Sequence, residues 1–254
     1  MNYFNKYSGR IVLILAVLTL QACATVETET ESDPYESFNR TMHGFNKGLD
    51  TAILKPVAQG YDAVAPDPVK IGVSNFFANI DDVPTSVNQF LQGKFSDGFS
   101  DIGRFVINTT LGVAGFFDVA SQLGLESHDE DFGQTLGAWG IESGPYVVWP
   151  LLGPSTLRDS FARPVDSATS IPSEIDHIRT RNKIYFMDLV DLRYRLLSLD
   201  SQLEDALDEY SFVRDAFLMR REYQVYDGNP PEDDDLYDDD CLEDEDYCDD
   251  EIID

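Results

Sequence analysis

Only three histidines and three cysteines occur in the chain, and neither set is spaced for chemistry. His43, His128 and His177 sit in unrelated contexts, and no HExxH, CxxC or GxSxG is present, so neither a zinc site nor a serine hydrolase has a motif to rest on. A phosphate loop is missing as well. Basic residues are scarce: 18 Lys and Arg stand against 47 Asp and Glu, a net charge of −29 that argues against nucleic acid, whose phosphates need clustered cations. Apolar runs are short, and none approaches the ~18 consecutive residues of a membrane-spanning helix. Acid pairs such as Asp81-Asp82 are ordinary in turns and caps, and adjacent residues on a helix do not share a face. The expectation is a protein that is not an enzyme and uses neither cofactor nor metal.

What is present begins with an export signal. Lys6 and Arg10 precede an apolar stretch, Ile11 to Leu20, that has the charge and length of a signal-peptide core within residues 1–22. Leu20-Gln21-Ala22-Cys23 resembles a bacterial lipobox, which would make Cys23 the lipid-bearing first residue of the mature chain. The rival reading is an ordinary signal peptide with an incidental cysteine. Each buried acyl methylene stabilises anchoring by about 0.8 kcal/mol, so several chains on one cysteine would hold the protein at a membrane surface. Ala24 stands where aspartate marks inner-membrane retention in enteric-type lipoproteins, which favours the outer membrane.

The opposite end is acidic. Residues 232–254 contain 15 Asp or Glu and no Lys or Arg, so the segment repels itself and has little to bury. A disordered tail over 228–254 is predicted, opening at Gly228-Asn229-Pro230-Pro231. It reads either as a solvated tail or as an electrostatic lure for a basic partner or divalent cations. Cys241 and Cys248 lie within it and could form a local disulfide in an oxidising compartment. As zinc ligands they lack a second pair.

Between these ends, after a linker over 23–32, the body over 33–227 reads as helices joined by short turns. Asp33-Pro34-Tyr35-Glu36 has the form of a capped helix start, with the helix running to about Asp50. Phe38, Met42, Phe45 and Leu49 fall within about 60° of one another on the helical wheel, with Arg40 and Lys47 opposite and Asn39 and Asn46 at the stripe's edge. Those amides could meet a lipid headgroup or satisfy nearby backbone. Further helices are predicted over Lys55 to Ala65, from Pro68 to a turn at Asp81-Asp82-Val83-Pro84, over Thr85 to Gly93, and over Ser96 to Thr110. In the last of these, Phe99, Ile102, Phe105 and Val106 oppose Asp101, Arg104 and Asn108. Residues 111 to 153 are Gly-rich and irregular, with Trp139, Tyr146 and Trp149 read as either interfacial anchors or core. A long helix is expected to open at Ser173 and Asp176, its leucine stripe from Leu189 to Leu203 packing on the body with Asp191 and Arg195 paired, and a last helix runs from Leu203 to Tyr226.

At Asp33-Pro34-Tyr35-Glu36-Ser37-Phe38-Asn39-Arg40 the chain resembles the MlaA (VacJ) family of outer-membrane lipoproteins. Ordered agreement continues through Lys55-Pro56-Val57-Ala58, Asn75-Phe76-Phe77, Leu91-Gln92-Gly93, Arg104-Phe105, Asn108-Thr109-Thr110, Phe132-Gly133-Gln134-Thr135-Leu136-Gly137 and Gly153-Pro154-Ser155-Thr156. The C-terminal helix and tail carry no matched motif. The resemblance implies an all-α fold, a ring-like arrangement of amphipathic helices in the inner leaflet on the periplasmic face of the outer membrane, beside a trimeric porin. It implies removal of misplaced phospholipid from the outer leaflet through an amphipathic channel, and transfer to a periplasmic carrier of MlaC type. Candidate channel or gating residues are Phe38, Asn39, Arg40, Phe45, Asn46, Arg104 and Asn108, with capping and internal hydrogen bonding as their ordinary alternative. Two other readings are a structural envelope lipoprotein that scaffolds a porin or another complex, and a phospholipase.

Overall fold

The computed structural model describes residues 33–231; the signal segment, Cys23, the linker 23–32 and residues 232–254 with Cys241 and Cys248 lie outside the described residues. Helix α1 spans Glu36–Leu49. Asp33 is not its side-chain cap. Its carboxylate is fully buried and accepts instead from Asn39 Nδ2 (2.8 Å) and from the Tyr210 hydroxyl, since a buried anion needs donors more than the helix end needs a cap. The expected break before Lys55 is absent: a π-helical turn over Asp50–Leu54 leads straight into α2 (Lys55–Val64), with Pro56 in its first turn where a missing N–H is harmless.

Helix α3 runs unbroken over Asp67–Leu91, straight through Pro84 where the sequence predicts a turn. An interior proline costs roughly 3 kcal/mol, and α3 offsets this by packing along α4 (Phe95–Thr110). Asn88 Nδ2 also donates to the Pro84 carbonyl oxygen at 3.1 Å. The Gly-rich stretch is mostly turns, holding the short helices α5 (Val119–Gln122) and α6 (Phe132–Ala138). It also contains an antiparallel hairpin, β1 (Tyr146–Trp149) against β2 (Gly153–Thr156), with Tyr146 opposite Thr156. The β-branched and aromatic run Tyr146-Val147-Val148-Trp149 favours a strand. Positive φ at Leu151 and Gly153 turns the chain back.

Helix α7 (Leu157–Thr169) is capped by Thr156, whose hydroxyl accepts from the Asp159 N–H at 3.1 Å. A 3-10 turn at Ile171–Glu174 follows, and α8 spans Ile178–Leu196 with His177 as cap. Ser173 does not cap it, because its hydroxyl turns back to the Ser170 carbonyl at 2.6 Å. The expected final helix is two: α9 (Asp200–Asp205) and α10 (Glu209–Val225), parted where Asp208 caps α10 and pairs with Arg40. The leucine stripe also departs from expectation. Leu189, Leu192, Leu196 and Leu199 stay exposed, while α8 buries Val190 and Asp191 and keeps the Arg195–Asp191 pair at 3.2 Å.

Helix α1 leads through the π turn to α2, which packs on α8; α8 meets α3, α3 meets α6, and α6 meets α7 and α10. Helix α7 adjoins β2, and β1 lies on α1. The contacts therefore close on themselves, giving the ring-like arrangement of helices, with a small apolar cluster of Tyr146, Val148 and Tyr210 where the circuit joins.

Candidate functional site

The burial pattern is reversed relative to a water-soluble domain. Among the described residues, eight apolar or aromatic side chains are buried against 21 polar or charged ones, and 37 large apolar side chains are exposed. Charged groups are rarely buried unless paired, so this interior must be held by specific polar contacts. Helix α4 shows the reversal most simply. Asp101, Arg104 and Asn108 are buried with Gly98, whereas Phe95, Phe99, Ile102 and Val106 face outward. Helix α3 repeats it, burying Lys70, Asn79, Asp82, Asn88 and Gln89 and exposing Val69, Ile71, Val87 and Leu91. An apolar exterior of this extent marks contact with lipid or another apolar partner. No described helix is long and apolar enough to cross a membrane, and no described group of His, Cys, Asp or Glu could hold a metal ion.

On α1, Asn39 is fully buried; its Nδ2 donates to the Tyr146 carbonyl at 3.0 Å and its Oδ1 accepts the Val148 N–H at 2.8 Å. Two turns on, Asn46 does the same for the Trp149 carbonyl (2.9 Å) and the Leu151 N–H (2.7 Å). The two amides seven residues apart thus clamp one helix face to a strand and its turn. Arg40 forks onto Asp208 at 2.6 and 3.1 Å, pairs with Glu36 at 2.6 Å and lies over the Tyr210 ring at 4.4 Å. The hydrogen bond to Asp208 holds the Arg40 guanidinium above its usual range. Phe38 is half-buried and Phe45 exposed.

Arg104 and Asn108 meet in a second network, away from α1. Asn108 Oδ1 accepts the N–H groups of Val119 and Ala120 at 2.8 and 2.9 Å, and its Nδ2 donates to Asp118 at 3.0 Å. Arg104 donates to Ser121 Oγ and the Leu125 carbonyl, both at 2.9 Å, and pairs with Asp82 and Asp118 at 3.4 Å. Burial pushes the Asp82 carboxyl up to about 6, with Arg104 opposing. Burial also raises Asp118, but hydrogen bonds from Ser121 and Asn108, with Arg104 adding its charge, outweigh it and hold Asp118 below its ordinary value. Asp81, beside them, is open to solvent yet pushed up to about 7, first by desolvation and then by Asp188, Asp129 and Asp82.

A third network was not visible as a site in the sequence. Arg221 of α10 forks onto Asp131 at 2.6 Å through both terminal nitrogens and pairs with Asp159 at 2.7 Å, while Asp131 also caps α6. Gly133 makes room for it: a Cβ there would stand 2.4 Å from Arg221 Nη2 and 2.5 Å from Asp159 Oδ1. The only signal was the Phe132-Gly133-Gln134 run. Of the three aromatics, Tyr146 is core, whereas Trp139 and Trp149 are partly exposed, their indole N–H groups bonded to the Leu91 carbonyl and Ser160 Oγ.

The family model described as MlaA lipoprotein matches residues 31–224, which takes in nearly all of α10. The chain is 36% identical over 217 residues to the intermembrane phospholipid transport system lipoprotein MlaA of Escherichia coli (strain K12), covering 83% of this chain and 86% of that one. The protein of the same name in Haemophilus influenzae is 31% identical over 228 residues, covering 86% and 90%. A solved chain from work on the structural basis for maintenance of bacterial outer membrane lipid asymmetry superposes with a TM-score of 0.69 at 35% identity, covering 76% of this chain and 99% of its own.

Proposed function

The chain belongs to the MlaA lipoprotein family, and from that premise we propose that it removes misplaced phospholipid from the outer leaflet of the outer membrane and delivers it to a periplasmic carrier of MlaC type. The observation that carries this reading is the reversed burial: an apolar exterior suited to acyl chains surrounds an interior of charged and amide groups. A headgroup in hydrocarbon costs several kcal/mol, and polar partners along a path reduce that cost. No bond need break, so the path requires no nucleophile or metal. Cys23 supplies the anchor that keeps the body on the periplasmic face, and a trimeric porin is the neighbour through which it reaches the outer leaflet.

In this reading Asn39, Arg104 and Asn108, buried and bonded within the protein, stand behind the channel wall and fix its shape without meeting lipid. Phe38, Arg40, Phe45 and Asn46 make α1 the controlling element, since Asn46 ties the helix to the hairpin tip. The test is outer-leaflet phospholipid in a deletion strain, labelled with a membrane-impermeant amine-reactive probe. Excess surface phospholipid that wild type corrects, and that Cys23→Ala or deletion of Phe45-Asn46 does not, is expected. No excess in the deletion strain overturns the proposal and leaves an envelope scaffold as the better reading.

A further inference from the structure

Of the 18 lysines and arginines, Lys6 and Arg10 lie outside the described residues, and the other sixteen are used unevenly. Twelve have a carboxylate within 4.0 Å, and Arg163 donates to the Leu152 and Pro154 carbonyls. The three left without a partner among the described residues are Arg179, Arg181 and Lys183, all in the first two turns of α8. That is the wrong end of a helix for cations, because the N-terminal dipole is positive. Glu174 and Asp176 precede them and Asp188 follows, yet none pairs with them.

Beside this cluster lies an apolar groove of about 330 Å³, lined by Val73, Phe76 and Phe77 of α3, Val113 and Phe116 of the turn after α4, and Ile184 and Met187 of α8, with Thr180 and Lys183 at its rim. At about 100° per residue, Arg179 and Arg181 flank the groove-lining face of α8 on opposite sides. The opposite lip is held in place: the Phe116 ring sits on Gly72, where a Cβ would come within 2.1 Å, and Asn75 Nδ2 donates to the Phe116 carbonyl at 3.2 Å. Val113, a β-branched residue, keeps φ at 56° there, a strained conformation.

We propose that this groove binds one anionic phospholipid molecule, an acyl chain lying among the apolar residues and the phosphodiester held by Lys183, with Arg179 and Arg181 adding positive charge from either side. An acidic peptide would match the cations but leave the groove beside them unfilled. A neutral lipid would fill the groove and leave three cations unmatched. The inference rests on the reading that the protein handles phospholipid at a membrane.

The test uses the full chain in phosphatidylcholine membranes containing phosphatidylglycerol with a diazirine in its acyl chain, and adducts mapped by mass spectrometry. Adducts are expected on residues 73–77, 113–116 and 184–187, falling about tenfold in the triple variant Arg179→Gln/Arg181→Gln/Lys183→Gln and with a phosphatidylcholine probe. Because cations leave a helix N-terminus, the triple variant should melt no lower than wild type, which a merely structural role would not allow. Val113→Gly relieves strain and removes a lining side chain, so it should fold at least as well and lose adducts. Adducts elsewhere, or equal labelling of the triple variant, overturn this site alone. No phospholipid adduct anywhere on wild type overturns the proposed function with it.

Discussion

Asn39 and Tyr146 are 107 positions apart, and the Asn39 amide takes up the Tyr146 carbonyl while returning its own oxygen to the Val148 N–H. Asn39→Ala strands two buried backbone groups and takes a donor away from the buried Asp33 carboxylate. A loss of roughly 1–3 kcal/mol is expected. Asn46→Ala, at a partly exposed position, should lose less. Denaturant midpoints of the two variants in the same detergent decide the order.

Two arginine forks of similar geometry should differ sharply in worth. Arg221→Met leaves the partly exposed Asp131 without its countercharge and Asp159 with Arg158 alone, at 3.0 Å, and is expected to cost up to about 3 kcal/mol. Arg40→Met removes an equally short fork that stands in solvent, and the expected cost is no more than ~1 kcal/mol. Melting temperatures should show a large shift for the first and a small one for the second.

Glycine positions split the same way. Gly133→Ala forces a methyl against Arg221 and Asp159 and should destabilise by about 1–3 kcal/mol. Gly48→Ala, in α1 with nothing within 4 Å of the added Cβ, should stabilise by roughly 0.5–1 kcal/mol. Equal effects in thermal melts would remove close packing as the reason for Gly133.

Asp82 sets a pH dependence. Its folded value of about 6 lies above the ~3.9 of an unfolded aspartate, so the folded state holds the proton more tightly. The stability it contributes is therefore fully present below about pH 4 and lost as pH rises through about 6. Asp118 and Asp131 are held below the usual range and act in the opposite sense, only at lower pH. Asp81, raised to about 7, acts in the same sense, so melting temperatures should fall between pH 4 and 7 and Asp82→Asn should make that fall smaller without removing it, with the variant the more stable at pH 7.

Much of this fold could be read from periodicity, and the reason the rest could not is specific. The two faces of α4 were legible from Phe99, Ile102 and Val106 against Asp101, Arg104 and Asn108. Which face is buried was not, because a helical wheel measures asymmetry and not the medium on either side. Pro84 read as a turn because local rules weigh one lost hydrogen bond and cannot weigh the length of α4 packed alongside. Asp33 read as a cap because its true partner, Tyr210, is 177 positions away. The Arg221 network joins residues 90 apart and left no local trace apart from Gly133.

The reversed burial also bears on how this protein responds to temperature. Unfolding an ordinary domain uncovers apolar surface, which gives a heat-capacity rise of roughly 12–15 cal/mol/K per residue and a sharply domed stability curve. Here the large apolar side chains already face outward and unfolding uncovers mainly amides, carboxylates and guanidinium groups, whose hydration lowers heat capacity. The curve should therefore have little curvature, so that a protein held together by ion pairs and amide clamps loses stability steadily on warming and has no limb of cold unfolding.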